Sequence, residues 1–200
     1  MTAIIQIANM RAKVDTEGAL VINTCNNNPD NWQNGLSPFS IGPCPLFGEH
    51  IALNMENGWQ FTKLYAKHAD AKGNPTDAFW EWAQAGFANP KAIRFPMGRG
   101  AKPLHAWWDG QQLGYIDARK QIYAPLYAQA VQKTAGFAKL KKLHKTEKRI
   151  ILRDFDGYDH DKKKMTLTQV LNTPKRKMGH AFVLKMLLTN DIALKECDIR

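Results

Sequence analysis

The sequence predicts an α+β fold, mainly helical, in one compact domain spanning residues 1–200. Three observations predict it. Two β-branched runs, Ile4-Ile5-Gln6-Ile7 and Ala19-Leu20-Val21-Ile22, flank a turn signal at Asp15-Thr16-Glu17-Gly18, which predicts an N-terminal β-hairpin. Most of the chain from Glu49 onward places apolar residues at helical spacing, interrupted by Pro and Gly. A late β-like run, Ile150-Ile151-Leu152, returns before a final apolar helix.

After the hairpin, Asn26 to Asn31 is too polar for a core and reads as a loop, so residues 1–35 form a hairpin-and-loop unit. Prolines exclude regular helix through Ser37-Pro38-Phe39 and Gly42-Pro43-Cys44-Pro45. A helical pattern covers Glu49 to His68, with Asn54 as a cap or a break before Met55. Thr76 caps a helix over Asp77 to Phe87, closed by Asn89-Pro90. Ile93-Arg94-Phe95 predicts a short strand leading into the turn Gly98-Arg99-Gly100. Trp107-Trp108 precede an Asp109-Gly110 turn. The longest helical pattern runs from Gln111 to Thr134, and Pro125 inside it predicts a kink or split. Helix continues through 137–149, Thr166 to Leu171 is a short helix or strand, and Met178 to Leu188 is an apolar helix.

Composition bounds the function classes. With 44% hydrophobic and 23% charged residues, the chain can bury a core. No apolar run approaches a membrane span and no basic-then-apolar leader opens the chain, so a cytoplasmic protein without a membrane partner is expected. Three widely spaced cysteines, Cys25, Cys44 and Cys197, support no disulfide framework. Metal-ligand spacing is absent among Cys and His, so neither a metal nor a cofactor is expected.

The formal net charge is +10, and it is concentrated in runs. Lys139, Lys141, Lys142 and Lys145 lie in one, Lys162-Lys163-Lys164 and Lys175-Arg176-Lys177 in two others. Clustered like charge opposes folding and suits a polyanion such as DNA, although a solubilising lysine-rich surface has the same composition.

Within Met55 to Tyr65, Glu56, Gln60 and Lys63 stand at i, i+4 and i+7, on one face if the stretch is helical. A carboxylate, an amide and an amine in a row can bind and cleave something polar; the same row fits a solvated amphipathic face. Trp59, Trp107 and Trp108 are candidates to stack on a base, with one of them expected in a site and the others in the core. Gly98 and Arg99 can present backbone donors and a guanidinium to a phosphate. Asp154, Asp156, Asp159 and Asp161 follow the Ile150–Leu152 strand, a place where α+β proteins put sites, although by themselves they fit a solvated acidic turn better.

Taken together, Ser37-Pro38-Phe39, Glu56-x-x-x-Gln60-x-x-Lys63, Gly98-Arg99, Leu152-Arg153-Asp154 with Asp159, and Met178-Gly179 resemble, in order, the NADAR superfamily. The likeness covers residues 36–190 in short pieces, with Asp154 where the family has Glu and without its Trp-Gly after the acidic loop. The resemblance implies a NADAR-like core and a hydrolase that cleaves N-glycosidic bonds of ribosylated or modified nucleotides, including removal of ADP-ribose from guanine in DNA. It implies Glu56, Lys63 and Asp154 as catalytic residues. Phe39, Trp59, Gln60, Gly98, Arg99, Trp107, Trp108 and Asp159 would bind substrate. A glycosylase for a hypermodified base in phage DNA would use the same site. A non-catalytic basic nucleic-acid-binding protein is the competing class, with Lys139, Lys141, Lys142 and Lys145 as its contacts.

Overall fold

The computed structural model describes residues 2–197. Helix takes 38% and strand 16%, in parallel and antiparallel sheets, so the α+β expectation holds with helix dominant.

The first sheet is built from β1 (Ile4–Asn9), β2 (Leu20–Asn23) and β8 (Arg149–Asp154), in the order β1-β8-β2 with both pairings parallel. The expected N-terminal hairpin is therefore absent. β8 lies between the two runs, and its Ile150, Ile151 and Leu152 are fully buried. A parallel strand covered on both faces is a continuous apolar run, and such a run draws neighbours to both of its edges. The crossover from β1 to β2 is tied down by arginines of β8: Arg153 donates to Asn9 O and Ala12 O, and Arg149 to Asp15 O.

Short β3 (Cys44–Pro45) and β4 (Ile51–Ala52) pair antiparallel. Next come α1 (Met55–Gln60) and β5 (Lys63–Leu64). The helix expected over Glu49–His68 is thus reduced to one short piece. Asn54 does cap it, accepting from Asn57 N at 2.9 Å. It stops because Lys63 and Leu64 pair with the first half of β6 (His105–Trp108), and tertiary pairing overrides the helical pattern. β6 continues through a two-residue turn into β7 (Gln111–Leu113). Asp109 and Gly110 both have positive φ, 47° and 80°, as a tight hairpin of this twist requires. The chain's tight hairpin is here, and it takes Gln111–Leu113 out of the helix expected for them.

The strand expected at Ile93–Phe95 is irregular: Ile93 N donates to the Asn57 side chain rather than to a sheet. α2 (Asp77–Phe87) follows Thr76 as expected. Its Phe79, Ala83 and Phe87 pack on Phe61 and Leu64 to make a second, smaller core.

From Tyr115 the chain is helical to Val131, as α3 (Tyr115–Ala118), a π-helical turn at Arg119–Tyr123, and α4 (Ala124–Val131). Pro125 has no N–H to return to the preceding turn, and the wide π turn directly before it absorbs that loss. α5 (Ala135–Thr146), α6 (Leu167–Asn172, with a Thr166/Gln169 capping box) and α7 (His180–Thr189) complete the chain. α7 packs on β8, β1 and α4 and forms the centre of the main core with Phe182, Val183 and Leu184. Among the described residues no helix is long and apolar enough to cross a membrane.

Candidate active site

A cavity of about 600 Å³ opens where α1, the loop after β2, the end of β8, the π turn and the start of α7 meet. Asn57 sets its outer wall. Fully buried on α1, it donates to Asn89 O (2.9 Å) and Lys91 O (3.0 Å) and accepts from Ile93 N (2.8 Å), clamping the loop that carries Arg94.

On α1 itself Glu56 and Gln60 are buried one turn apart. Gln60 Nε2 donates to Glu56 Oε1 at 2.8 Å, and Lys63 Nζ donates to Gln60 Oε1 at 2.7 Å. The amide thus bridges an acid and an amine, although Lys63 belongs to β5 and not to a continuous helix. The Lys63 ammonium also sits 4.5 Å over the Trp59 ring. Burial raises the Glu56 pKa above its ordinary value, against the pull of the Gln60 hydrogen bond and the Lys63 charge. Burial lowers that of Lys63 to about 8, against the pull of Glu56. The face therefore points into the protein, and each group is pushed toward its neutral form.

Asp154, which also lines the cavity, closes β8 and is almost fully buried. Its Oδ2 accepts from Ala181 N and its Oδ1 from Asp156 N, both at 3.0 Å. His180 Nδ1 lies 3.3 Å from Oδ2, and His180 Nε2 lies 2.9 Å from Thr24 O. Burial works to lower the His180 pKa, but Asp154, Cys25 and the Thr24 carbonyl together push it up to about 9. Gly179 is required next to this carboxylate, since a Cβ there would collide with it. Tyr123, on the π turn, is buried and its phenol is held well above its ordinary pKa, first by burial and then by the Asp154 and Glu56 charges.

Phe39 and Gly98 also line the cavity, as expected, together with Trp59. Arg99 stands outside it, its guanidinium 5.5 Å over the ring of the lining residue Phe95. Trp107, Trp108 and Asp159 do not line the cavity either, and of the three tryptophans only Trp59 does, the others packing in the cores. Trp107 packs against the smaller core, and Trp108 packs on the main core with its ring 5.0 Å from Phe47. Both sit in β6, whose pairing fixes them there. Asp159 accepts from Gln6 Nε2 (2.8 Å) and Lys162 N (2.9 Å) and does not line the cavity, because the loop turns away after Gly157 to cover β1. Lys139, Lys141, Lys142 and Lys145 are exposed on α5 and take no part in the cavity.

Sequence reading missed Cys25, Arg94, Lys177 and His180 as lining residues. Arg94 pairs with Asp156 at 2.9 Å, and Lys177 lies 4.0 Å from the same carboxylate. It also missed that Phe95, Tyr115 and Phe155 join Phe39 in an aromatic mouth, all four lining the cavity while keeping 38–47% exposure. Exposed aromatics gathered at one opening are a signal only three dimensions reveal. His180 opens an apolar helix and carries no sequence mark that separates it from a core histidine. No family model, curated protein or solved structure matches this chain.

Proposed function

We propose that the protein is a hydrolase that cleaves an N-glycosidic bond of a ribosylated or modified nucleotide, free or within DNA. The observation that carries this reading is the Glu56–Gln60–Lys63 chain of hydrogen bonds in the lining of a cavity that a second buried carboxylate, Asp154, also lines. The motif resemblance to the NADAR superfamily points to the same chemistry.

The C1′–N bond breaks with its electron pair leaving on the base nitrogen. Glu56, whose carboxyl burial shifts toward the protonated form, supplies the proton that the leaving base takes up. The neutral Lys63 amine adds to the sugar carbon, and water later displaces it. The Glu56 carboxylate left behind takes a proton from that water, which restores the starting state. Asp154 holds the sugar. The aromatic mouth stacks the base, as a flat π-face needs, and Arg94 with Lys177 meets phosphate oxygens.

The test is incubation with three substrate classes, with released products read by mass spectrometry. They are a ribosylated free nucleotide, DNA carrying ADP-ribose on guanine, and DNA carrying a hypermodified pyrimidine. Base or ADP-ribose release from one of them supports the proposal and names the substrate. The third class would make the protein a DNA glycosylase. Release from none, with DNA binding that depends on the exposed α5 lysines, favours a non-catalytic nucleic-acid-binding protein.

A further inference from the structure

We propose that Cys25, Asp154 and His180 bind a divalent metal ion of the zinc class, with an open coordination position facing the cavity. One donor atom from each residue lies within 4.8 Å of the other two. His180 Nδ1 is 3.3 Å from Asp154 Oδ2, and Cys25 Sγ is 3.8 Å from Asp154 Oδ1. A tetrahedral zinc with bonds of about 2.0–2.3 Å spaces its ligand atoms by roughly 3.3–3.8 Å.

The orientation of the histidine supports the ion. Its Nε2 faces the Thr24 carbonyl at 2.9 Å, so in the neutral imidazole Nε2 is the N–H and Nδ1 offers its lone pair beside the carboxylate. With the thiol deprotonated, one donor atom from each of the three residues can face a shared point, where a cation would hold them together. The outer partners are those a metal site needs: a carbonyl fixing the histidine, and the Ala181 and Asp156 amides fixing the carboxylate. The supports are rigid, since Asp154 ends β8, His180 begins α7 and Cys25 directly follows Thr24 at the end of β2. A thiolate, an imidazole and one carboxylate select zinc-like ions over magnesium or calcium. All three residues line the cavity, so the remaining position is open to an oxygen of the substrate. On the glycosidase reading that oxygen is a ribose hydroxyl, and Asp154 holds the sugar through the ion.

The competing arrangement is a protonated His180 paired with Asp154, with no metal. Chelator-treated, dialysed protein titrated with Co²⁺ separates the two. The proposal expects one ion per chain, a thiolate-to-cobalt charge-transfer band in the near ultraviolet, and displacement by Zn²⁺. Cys25→Ser should lose the charge-transfer band and weaken Zn²⁺ binding by more than about tenfold. Asp154→Asn should weaken it likewise, while Lys63→Ala keeps both the band and the stoichiometry. No stoichiometric binding, or a spectrum indifferent to Cys25→Ser, overturns the proposal. The readout is independent of turnover. Metal binding without base release sinks only the glycosidase reading, and base release by metal-free protein with no cobalt band sinks only this one.

Discussion

Lys63 Nζ stands 2.7 Å from Gln60 Oε1, and through that amide it is linked to the buried carboxyl of Glu56. The bridge makes Gln60 the residue whose removal strands two polar groups at once. Gln60→Ala should cost about 1–3 kcal/mol of stability. Gln60→Glu would place a second carboxylate against Glu56 and should cost more at neutral pH than at pH 4. Urea denaturation at both pH values measures the difference.

The Lys63 pKa of about 8 sets a pH dependence. An amine that must be neutral to attack gives a limb of the pH–rate profile that rises through about 8, rather than through the 10.5 of an ordinary lysine, opposed by the falling limb of the Glu56 acid. Stability follows the same sign. Between about pH 8 and 10.5 the unfolded chain binds more protons at this position, so the folded state gains stability as pH rises across that window. Lys63→Met should abolish turnover and remove that gain, which pH-resolved denaturation of the two proteins would show.

Gly179 and Asp154 are sterically coupled. Gly179→Ala should destabilise by about 1–3 kcal/mol, because the new methyl drives the carboxylate out of its place at the start of α7. Combined with Asp154→Gly, the same substitution should cost far less than alone. A double-mutant cycle by thermal denaturation gives the coupling. Additive losses would mean that the glycine serves only the backbone of α7.

Phe155, exposed at the cavity mouth, should stack on the base. Phe155→Ala should weaken substrate binding by about 1–3 kcal/mol, seen in KM with kcat little changed. Stability should stay nearly constant because the ring is 45% exposed. Trp107→Phe and Trp108→Phe should do the reverse, lowering thermal stability and sparing KM, since both indoles are packed into cores.

The exposed α5 lysines test whether the substrate is a polymer. Replacing Lys139, Lys141, Lys142 and Lys145 by Ala should lower the salt slope of DNA binding by up to roughly 0.9 for each lysine that meets a phosphate. Cleavage of a free nucleotide should be unaffected, because none of the four lines the cavity.

What the sequence made legible follows from how local each signal is. The Asn54 cap, the start of α2 after Thr76 and the buried run of β8 each depend on neighbours within a few residues, and each is where the pattern places it, although the Thr76 hydroxyl donates to His68 O and does not cap the helix. The Glu56, Gln60 and Lys63 spacing survives too, although the helix ends before Lys63, because the lysine stem is long enough to reach back to Gln60 from β5. The hairpin expectation fails because the partner of Ile4–Asn9 is Arg149–Asp154, far along the chain, and nothing between Ile4 and Ile22 encodes it. The tight hairpin at Asp109-Gly110 has the stronger turn pair, yet Gln111–Leu113 share apolar spacing with the helix that follows. Cys25 and His180 are invisible as a pair until β2 and α7 meet at the end of β8.

The most direct measurement of the central claim is product release by wild type, Lys63→Ala and Glu56→Gln on the same three substrate classes. Circular dichroism serves as the check that all three proteins are folded. The account predicts release of a base or an ADP-ribose group by wild type and loss of release in both folded variants. Wild-type release persisting in both variants would contradict the assignment of the Glu56–Gln60–Lys63 face as the site of bond cleavage.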